Sequence, residues 1–325
     1  MASAGRMGRI VHVFSEIENI LVELNRACPT VEFVQVDSSG ARNEVISKLE
    51  KAEVLLGDSH ILSDYPNYLP NLKWLQLTFA GVDAVIKSLA APPKFIITRF
   101  GGVLGHYMAE YVIGQVIARE KDFLLMARNQ EKRIWLQNVS CRSLHGLNLG
   151  ILGIGEIGKE LARVAKTFGM ITWGMGRTPR NTPPANVDKY ITPNSLEDLL
   201  CSCHYICNIL PSTPSTRYLL SGDVLKKCMN NKPVFINVGR GDVIDEKSLV
   251  HALKEHWLSG AILDVFEKEP LSQDSELWGM DNVVITPHVS GWSFADQTAR
   301  VFADNLELYE AKKRMNYIVD YSRGY

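Results

Sequence analysis

The segment Ile151–Arg180, ILGIGEIGKELARVAKTFGMITWGMGRTPR, joins an apolar strand, a glycine-rich turn, a helical pattern and a second strand. Its turn has the spacing G-x-G-x-x-G, formed by Gly153, Gly155 and Gly158. In this context the first glycine permits a tight turn, the second lets a pyrophosphate approach the backbone, and the third lets helix and strand pack closely. The N–H groups at the helix start would face the phosphates, with the helix dipole behind them. The segment therefore predicts a dinucleotide-binding unit, and a structural turn that binds nothing is the alternative.

The residues after the second strand of this segment bear on which dinucleotide is bound. A carboxylate commonly stands there, where it hydrogen-bonds the 2′-hydroxyl of NAD and would repel a 2′-phosphate. This chain instead carries Gly174, Met175, Gly176, Arg177, Thr178, Pro179 and Arg180. Guanidinium groups match phosphate geometry, and the glycines leave room for the extra group. We therefore expect NADP(H) as the preferred cofactor and NAD(H) as a second one. The alternative is a solvated basic turn that sets no preference.

The composition is that of an ordinary globular protein. The chain has 325 residues, 46% of them hydrophobic and 22% charged, with a net charge of −1. This length predicts about two domains, and the balanced charge provides no broad field for nucleic acid or a membrane. No apolar run reaches the roughly 18 residues of a membrane span. The first residues, MASAGRMGRIVHV, lack the long apolar core of a signal peptide. We expect a cytoplasmic protein.

Six cysteines are present, three of them in the segment LLCSCHYICNILP at 199–211. A metal site around His204 is one interpretation of that segment. However, Cys203, Tyr205 and Cys207 alternate as in a strand, and a free cysteine behaves as a small buried hydrophobe. No second CxxC or histidine pair completes a zinc ligand set. We therefore expect reduced thiols and no bound metal.

Short apolar runs alternate with helical patterns along most of the chain, which indicates parallel sheets with helices on both faces. In the N-terminal third the predicted strands are RIVHVF, VEFVQVD, EVLLGD and KWLQLTFAG. The segment 88–102 is rich in turn residues, and 106–135 is predicted to form one long helical stretch. We predict two α/β domains: a substrate domain of residues 1–103 plus 289–325, and a dinucleotide-binding domain of residues 104–288. The second is inserted in the first if the terminal helix returns to pack on the N-terminal unit.

Three segments begin with apolar strands and end in polar residues: FINVGRGDVIDEKSL (235–249), GAILDVFEKEPL (260–271) and ITPHVSGWS (285–293). Ligands of open parallel sheets gather outside the carboxyl ends of the strands, so Arg240, Glu269 and His288 could converge there. Such a trio suits reduction of a 2-keto acid. Histidine donates the proton, a carboxylate fixes its tautomer, and arginine clamps the substrate carboxylate and polarises the carbonyl. The alternatives are a structural histidine and a solvated loop acid.

Taken together, these motifs resemble the D-isomer-specific 2-hydroxyacid dehydrogenase family over nearly the whole chain. The glycine turn, NVGRGDVIDEKSL, GAILDVFEKEPL and TPHVSG occur in the family's order and spacing. The resemblance implies a Rossmann cofactor domain inserted in a flavodoxin-like substrate domain, with an active site in the cleft between them. It also implies that His288 is the acid–base, Glu269 its partner and Arg240 the anchor. The stretches GHYMAEYVIGQVIAREKDF and GRTPR look most like those of NADPH-using glyoxylate/hydroxypyruvate reductases. The helical stretch after His106 is similar to the region that members use to form homodimers.

The same resemblance assigns further binding residues. The stretch TFAGVD looks like the loop whose backbone amides hold the substrate carboxylate, which places Ala80, Gly81 and Val82 there. The stretch LPSTPSTRYLL resembles the segment that lines the adenosine side, and Asp264 stands where the family binds the nicotinamide carboxamide. The predicted cofactor residues are then Gly153, Gly155, Glu156, Ile157, Gly158, Arg177, Thr178, Arg180, Leu210, Pro211, Thr216, Val238, Asp264, His288 and Gly291.

Two residues depart from the family pattern. Phe79 and Trp292 occupy places where small residues are common, and both add apolar bulk to the predicted substrate site, which also includes Arg240. They either shrink the pocket toward glyoxylate or form an aromatic wall for a larger keto acid. The implied reaction is NADPH-dependent reduction of a small 2-keto acid, such as glyoxylate or hydroxypyruvate, to the D-2-hydroxy acid. Phenylpyruvate-like acids are the second candidates.

Two other functions occur on the same fold. Some relatives are transcriptional corepressors that act as dinucleotide-sensing homodimers without turnover, but those proteins usually have long flexible tails. Others oxidise formate or phosphite with NAD. The basic GRTPR turn and the predicted pairing of His288 with Glu269 argue against that reaction.

Overall fold

The computed structural model describes residues 9–137, 139 and 141–324. They form two compact units: residues through Val103 together with those from Ser293 make the first, and Leu104–Trp292 make the second. Within the described ranges, no helix combines the length and the apolar character that a membrane crossing needs.

The strands and helices follow the alternation that the sequence predicts. The strands are β1 (Ile10–Phe14), β2 (Glu32–Gln35), β3 (Val54–Gly57), β4 (Trp74–Leu77), β5 (Ile96–Thr98), β6 (Asn148–Leu152), β7 (Ile171–Met175), β8 (Lys189–Ile191), β9 (Tyr205–Asn208), β10 (Val234–Asn237), β11 (Gly260–Leu263) and β12 (Val283–Ile285). The helices are α1 (Ile20–Ala27), α2 (Arg42–Leu49), α3 (Ser59–Leu62), α4 (Asp83–Ser88), α5 (Leu104–Glu120), α6 (Phe123–Glu131), α7 (Glu156–Thr167), α8 (Leu196–Ser202), α9 (Glu246–Lys254) and α10 (Ala295–Glu310).

The first unit is built on a parallel sheet in the order β2-β1-β3-β4-β5. This is the flavodoxin-like order of doubly wound folds. All residues of β3 and β4 are buried, as expected of parallel strands that are covered on both faces. On one face α10 supplies Phe302, whose ring stacks on Trp74 with 5.2 Å between centroids. The terminal helix therefore does return to the N-terminal unit.

The second unit is built on a parallel sheet in the order β12-β11-β10-β9-β6-β7-β8. Counted from β6, this is the Rossmann order with one additional edge strand. The strand order reverses at the pair β6 and β9, which is where such sheets bind dinucleotides. The predicted fold class, a Rossmann unit together with a flavodoxin-like unit, is confirmed.

Two local predictions need correction. The helical stretch 106–135 is two helices, because the chain breaks after α5 at Asp122, whose φ of +50° is left-handed. Aspartate adopts this conformation more readily than most residues. The turn-rich segment 88–102 contains the short strand β5, which pairs with β4 through Trp74 and Ile96.

Candidate active site

The glycine turn between β6 and α7 has the geometry of a phosphate cradle. Gly153 has a φ of +108°, which a side chain would strain. A Cβ on Gly158 would lie 2.1 Å from the carbonyl oxygen of Gly153, so the helix can pack this closely only with glycine there. A Cβ on Gly155 would meet no described atom within 4 Å. Because α7 begins at the next residue, its free N–H groups face this open side, and the turn fits the pyrophosphate of a dinucleotide.

Arg240 stands at the carboxyl end of β10, held by its backbone. Its carbonyl oxygen accepts from the side-chain amides of Asn208 (3.4 Å) and Asn237 (3.2 Å), the last residues of β9 and β10. The next residue must be glycine, because a Cβ on Gly241 would lie 1.8 Å from the carbonyl carbon of Phe266. The guanidinium is half-buried, and its Nη1 donates to the Gly239 carbonyl oxygen (2.8 Å). A cation is thus fixed at the strand end.

His288 and Glu269 form a hydrogen-bonded pair. The imidazole Nδ1 lies 2.8 Å from Glu269 Oε2, and both side chains are partly exposed. The other carboxylate oxygen, Oε1, accepts from the backbone N–H of Phe266 at 2.9 Å. Because an ionised carboxylate only accepts, Nδ1 carries the proton and Nε2 is left to exchange one with a ligand.

The environment keeps Glu269 ionised. Burial alone would raise the pKa of this carboxyl group. The hydrogen bonds from His288 and from the Phe266 N–H, together with the positive charges of His288 and Arg240, lower its pKa overall. His288 and Arg240 therefore both stabilise the charged form of Glu269 within the second unit.

Asp264 has a structural role that the sequence did not reveal. Its carboxylate is fully buried at the end of β11 and accepts from the Thr286 hydroxyl (2.6 Å) and from the N–H groups of Val289 and Ser290 (2.8 Å each). Its backbone carbonyl oxygen accepts from the N–H of His288 at 2.9 Å. Asp264 thus fixes the loop that carries the histidine, in which His288 itself has a left-handed φ of +55°.

Tyr111 on α5 extends this network. Its hydroxyl donates to Thr286 Oγ1 at 2.6 Å, since the Thr286 hydroxyl hydrogen is committed to Asp264. Burial, followed by lesser charge effects, raises the pKa of Tyr111 to about 12, so it stays a donor at neutral pH. Sequence analysis missed Tyr111, Thr286, Asn208 and Asn237. For the two asparagines, the rule that polar residues at strand ends form sites would have been enough.

The remaining predicted cofactor residues border the same edge of the second unit. The segment after β9 is ordered by its own side chains: Thr216 Oγ1 donates to the Pro211 carbonyl oxygen (2.6 Å), and Leu210 N–H donates to Asn208 Oδ1 (3.2 Å). Val238 is buried after β10, and Gly291 follows the histidine loop. Glu156 and Ile157 form the first turn of α7.

The basic turn after β7 is open to solvent. Arg177, Thr178 and Arg180 are exposed. Neither arginine forms an ion pair with a carboxylate in the part of the chain that the structure describes. Their charges are therefore available to an anionic ligand.

The predicted substrate loop lies in the first unit, directly after β4. The buried Asp58 anchors it by accepting from the Thr78 hydroxyl, and Val82 is buried while Ala80 and Gly81 are half-buried. The ring of Phe79 meets the imidazole of His60 edge-on, with 6.2 Å between centroids. Trp292, at the end of the second unit, is 55% exposed. The roles of these residues toward substrate stay predictions.

Comparisons with known proteins identify the family of the chain. Residues 113–290, more than half of the chain, match the family model described as D-isomer specific 2-hydroxyacid dehydrogenase, NAD binding domain. Glyoxylate/hydroxypyruvate reductase B of Escherichia fergusonii is 32% identical over 73% of this chain and 74% of its own length.

Two solved structures are similar over almost the whole chain. The D-isomer specific 2-hydroxyacid dehydrogenase family protein of Aeromonas salmonicida has a TM-score of 0.85 at 29% identity and covers 96% of this chain and 99% of its own. The NADPH-dependent glyoxylate/hydroxypyruvate reductase of Sinorhizobium meliloti, solved with NADP and sulfate, has a TM-score of 0.84 at 27% identity. The match covers 98% of this chain and all of the other.

Proposed function

This chain belongs to the family of D-isomer specific 2-hydroxyacid dehydrogenases, and we propose that it reduces a small 2-keto acid to the D-2-hydroxy acid with NADPH. The observation that carries the proposal is the His288–Glu269 pair, hydrogen-bonded at 2.8 Å in the unit that holds the glycine turn. The second unit, Leu104–Trp292, is proposed to bind the dinucleotide, and the first unit to bind the substrate.

The roles of the three catalytic residues follow from their contacts. The nicotinamide, when bound, supplies the hydride. His288 Nε2 donates a proton to the carbonyl oxygen of the keto acid, because Nδ1 is engaged by Glu269. Glu269 stays ionised through this step and stabilises the imidazolium form of His288. The Arg240 guanidinium clamps the substrate carboxylate and polarises the carbonyl, and a backbone held by two asparagines keeps it in place.

The preference for NADPH rests on the basic turn after β7. A 2′-phosphate would meet Arg177, Thr178 and Arg180, which are exposed, and neither arginine forms an ion pair within the described chain. The absence of an acidic residue at this strand end also removes the usual partner of the NAD ribose. Solved neighbours of the chain that were crystallised with NADPH or NADP support the same choice. NAD(H) is the second cofactor.

The proposed substrates are glyoxylate and hydroxypyruvate, for which the E. fergusonii relative is named. Backbone amides of Ala80, Gly81 and Val82 would hold the carboxylate of the keto acid, and the ordered Thr78–Asp58 contact fixes where that loop begins. Phe79 and Trp292 would restrict the group attached to the keto carbon. Turnover of phenylpyruvate-like acids would show whether these two aromatic side chains exclude or accept a substrate that carries a ring.

We also propose that the protein is a cytoplasmic homodimer. The helix α6 buries none of its residues within the chain, and four successive apolar side chains, Phe123–Met126, are each at least 41% exposed. Downstream, Trp135 is 87% exposed. Exposed apolar side chains that are concentrated in one short segment favour a protein interface over a solvated face.

Initial rates with glyoxylate, hydroxypyruvate, pyruvate and phenylpyruvate, each with NADPH and with NADH, test the cofactor and the substrate. We expect NADPH to be preferred by about tenfold or more in kcat/KM, which corresponds to about 1.4 kcal/mol. A preference for NADH would show that the basic turn does not recognise the 2′-phosphate. If no keto acid turned over with either cofactor, the dinucleotide-sensing homodimer would replace the enzyme.

The catalytic assignment is tested with His288→Asn, which we expect to lower kcat by about 100-fold or more because the proton donor is lost. His256→Asn is the matched control. His256 is an exposed histidine of the same unit and has the same φ of +55°, a conformation that asparagine accepts. Equal activity of the two variants would rule out His288 as the acid–base.

A further inference from the structure

The edge strand β8 lies beside the basic turn and is firmly anchored. Asp188, the residue before it, accepts from the N–H of Thr172 (2.8 Å) and from Lys166 Nζ (2.8 Å). Lys189 lies over the Trp173 ring at 4.1 Å from its centroid. At the other end of the strand, the N–H of Gly176 donates to the Ile191 carbonyl oxygen at 3.0 Å. Tyr190 is the middle residue of this strand, so contacts on both sides hold its backbone in place.

Tyr190 contacts the basic turn at three places. Its hydroxyl donates to the carbonyl oxygen of Thr178 at 2.8 Å. Its ring lies beneath the Arg180 guanidinium, 5.7 Å from the centroid, within the range of a cation–π contact. A Cβ on Gly176 would lie 2.0 Å from the hydroxyl oxygen, so a larger residue there would displace the ring of Tyr190 from its present position. One half-buried side chain thus contacts the turn at Gly176, Thr178 and Arg180.

The charges next to this contact suit an anion. An open cavity of about 400 Å³ is lined by Arg180 together with Lys159 and Glu156 of α7 and by residues 184–186. Glu160 also borders it, but its carboxylate is bound by Arg163 (2.6 Å) and by His106 (2.8 Å). Hydrogen bonding from Arg163 outweighs the effect of burial and lowers the pKa of Glu160. Lys159 and Arg180 then remain as two cations beside the single carboxylate of Glu156, so the formal charge of the cavity lining is positive.

We propose that Tyr190 is the positioning residue through which this chain selects NADPH over NADH. It holds the Thr178 carbonyl and the Arg180 side chain so that the turn offers the 2′-phosphate an ordered set of donors instead of a mobile one. Ordering long side chains before binding removes part of the cost of immobilising them in the complex. The inference rests on the NADPH part of the proposed function and adds a residue outside the glycine turn and the arginines.

A merely structural role for Tyr190 makes a different prediction. NADPH and NADH share every group except the 2′-phosphate, so NADH is an internal control for the integrity of the second unit. Loss of a purely structural tyrosine would weaken the binding of both cofactors to the same extent. Loss of a residue that orders the phosphate site would weaken the binding of NADPH alone.

The test uses two variants of the full chain. Tyr190→Phe keeps the ring beneath Arg180 and loses only the hydrogen bond to Thr178, whereas Tyr190→Leu loses both contacts. We expect the KM for NADPH to rise by about threefold to tenfold in the first variant and further in the second. The KM for NADH and both kcat values should stay within about twofold of the wild type.

A binding measurement separates this effect from turnover. In calorimetric titrations, adenosine 2′,5′-bisphosphate should bind the wild type with a lower Kd than adenosine 5′-monophosphate does. In Tyr190→Phe, the ratio of the Kd for the monophosphate to the Kd for the bisphosphate should be smaller than in the wild type. An equal loss for both nucleotides, or an unchanged ratio, would overturn the role of Tyr190 while leaving the proposed function intact. A wild type with no preference for NADPH or for the bisphosphate would overturn both.

Discussion

His12 lies in the middle of β1, and its side chain is 7% exposed between the register partners Val34 and Leu55. Its Nδ1 has no hydrogen-bond partner among the described residues. Burial, followed by the nearby charges of Lys48 and Lys51, lowers its pKa below the ordinary value of 6.5. His288, in contrast, is exposed and paired with Glu269. The surroundings thus pair one imidazole with a carboxylate, whereas they disfavour protonation of the other.

The buried histidine makes stability depend on pH. In the unfolded chain His12 takes up a proton near pH 6.5, whereas in the folded chain it resists protonation, so the unfolded state binds more protons as the pH falls below that value. We expect the free energy of unfolding to decrease below about pH 6.5, by no more than about 1.4 kcal/mol per pH unit for this one group. Urea unfolding of the wild type and of His12→Leu, followed from pH 7.5 to about 5, measures the difference.

The control for this prediction is His60→Asn, which removes an exposed histidine of the same unit. It should retain the wild-type slope, whereas His12→Leu should lose part of it. Parallel slopes for the wild type and His12→Leu would show that His12 is protonated equally in both states.

At the scale of elements, three parts of the second unit meet at one buried carboxylate. Glu120, the last residue of α5, is 6% exposed and accepts two bonds from Arg142, in the segment before β6. The hydroxyl of Tyr205, the first residue of β9, donates to the same carboxylate. Burial alone would raise the pKa of Glu120, but these hydrogen bonds lower it overall, so the carboxylate stays charged. The end of α5 is thereby attached to the sheet.

We predict that Tyr205→Phe lowers the free energy of unfolding by about 2 kcal/mol, since it removes a hydrogen bond to a buried charge. Tyr218→Phe is the matched control, because its hydroxyl also donates to a carboxylate, that of Glu267, but at an exposed site. Its effect should stay within about 0.5 kcal/mol. Denaturant unfolding of both variants provides the comparison, and equal losses would argue against the buried network.

Strands with a continuous apolar run could be predicted from the sequence, whereas the three-residue strands β5 and β8 could not. The strands β1, β3 and β4 and the turn of Gly153–Gly158 follow from local sequence, because burial on both faces demands continuous apolar runs. Strands β5 and β8 have three residues each and lie in turn-rich sequence. They form only because a neighbouring strand pairs with them, and such pairing does not show in a local pattern.

The site shows the same division. The choice of Arg240, Glu269 and His288 followed from their places at strand ends, and their roles toward substrate stay predictions. The partners Tyr111 and Tyr190 could not be chosen in the same way, because Tyr111 lies on α5 and Tyr190 lies in the middle of β8, not at the end of a strand. Thr286 contacts Tyr111 across 175 positions.

At the scale of the whole molecule, the exposed apolar side chains of Phe123–Met126 and Trp135 would lie in the interface of the proposed homodimer. We predict that the wild type sediments as a species of twice 36.4 kDa. The double variant Leu124→Glu/Trp135→Ser should shift it to the monomer, because it places a charge in the apolar surface and removes its most exposed side chain. Trp278→Ser, which changes another exposed tryptophan of the second unit, should leave the mass unchanged. A wild-type monomer would refute the dimer.

The two units differ in whether they are formed by one continuous segment of the chain. The second is continuous, whereas the first needs α10, which supplies Phe302 against Trp74. During translation the sheet β1–β5 leaves the ribosome first, yet the helix that covers one of its faces is made last. Because domains tend to fold as they emerge, the second unit can complete its core while one apolar face of the first, on which α1 already packs, still lacks α10. We therefore expect the first unit to be more prone than the second to aggregate while Leu104–Trp292 is being synthesised.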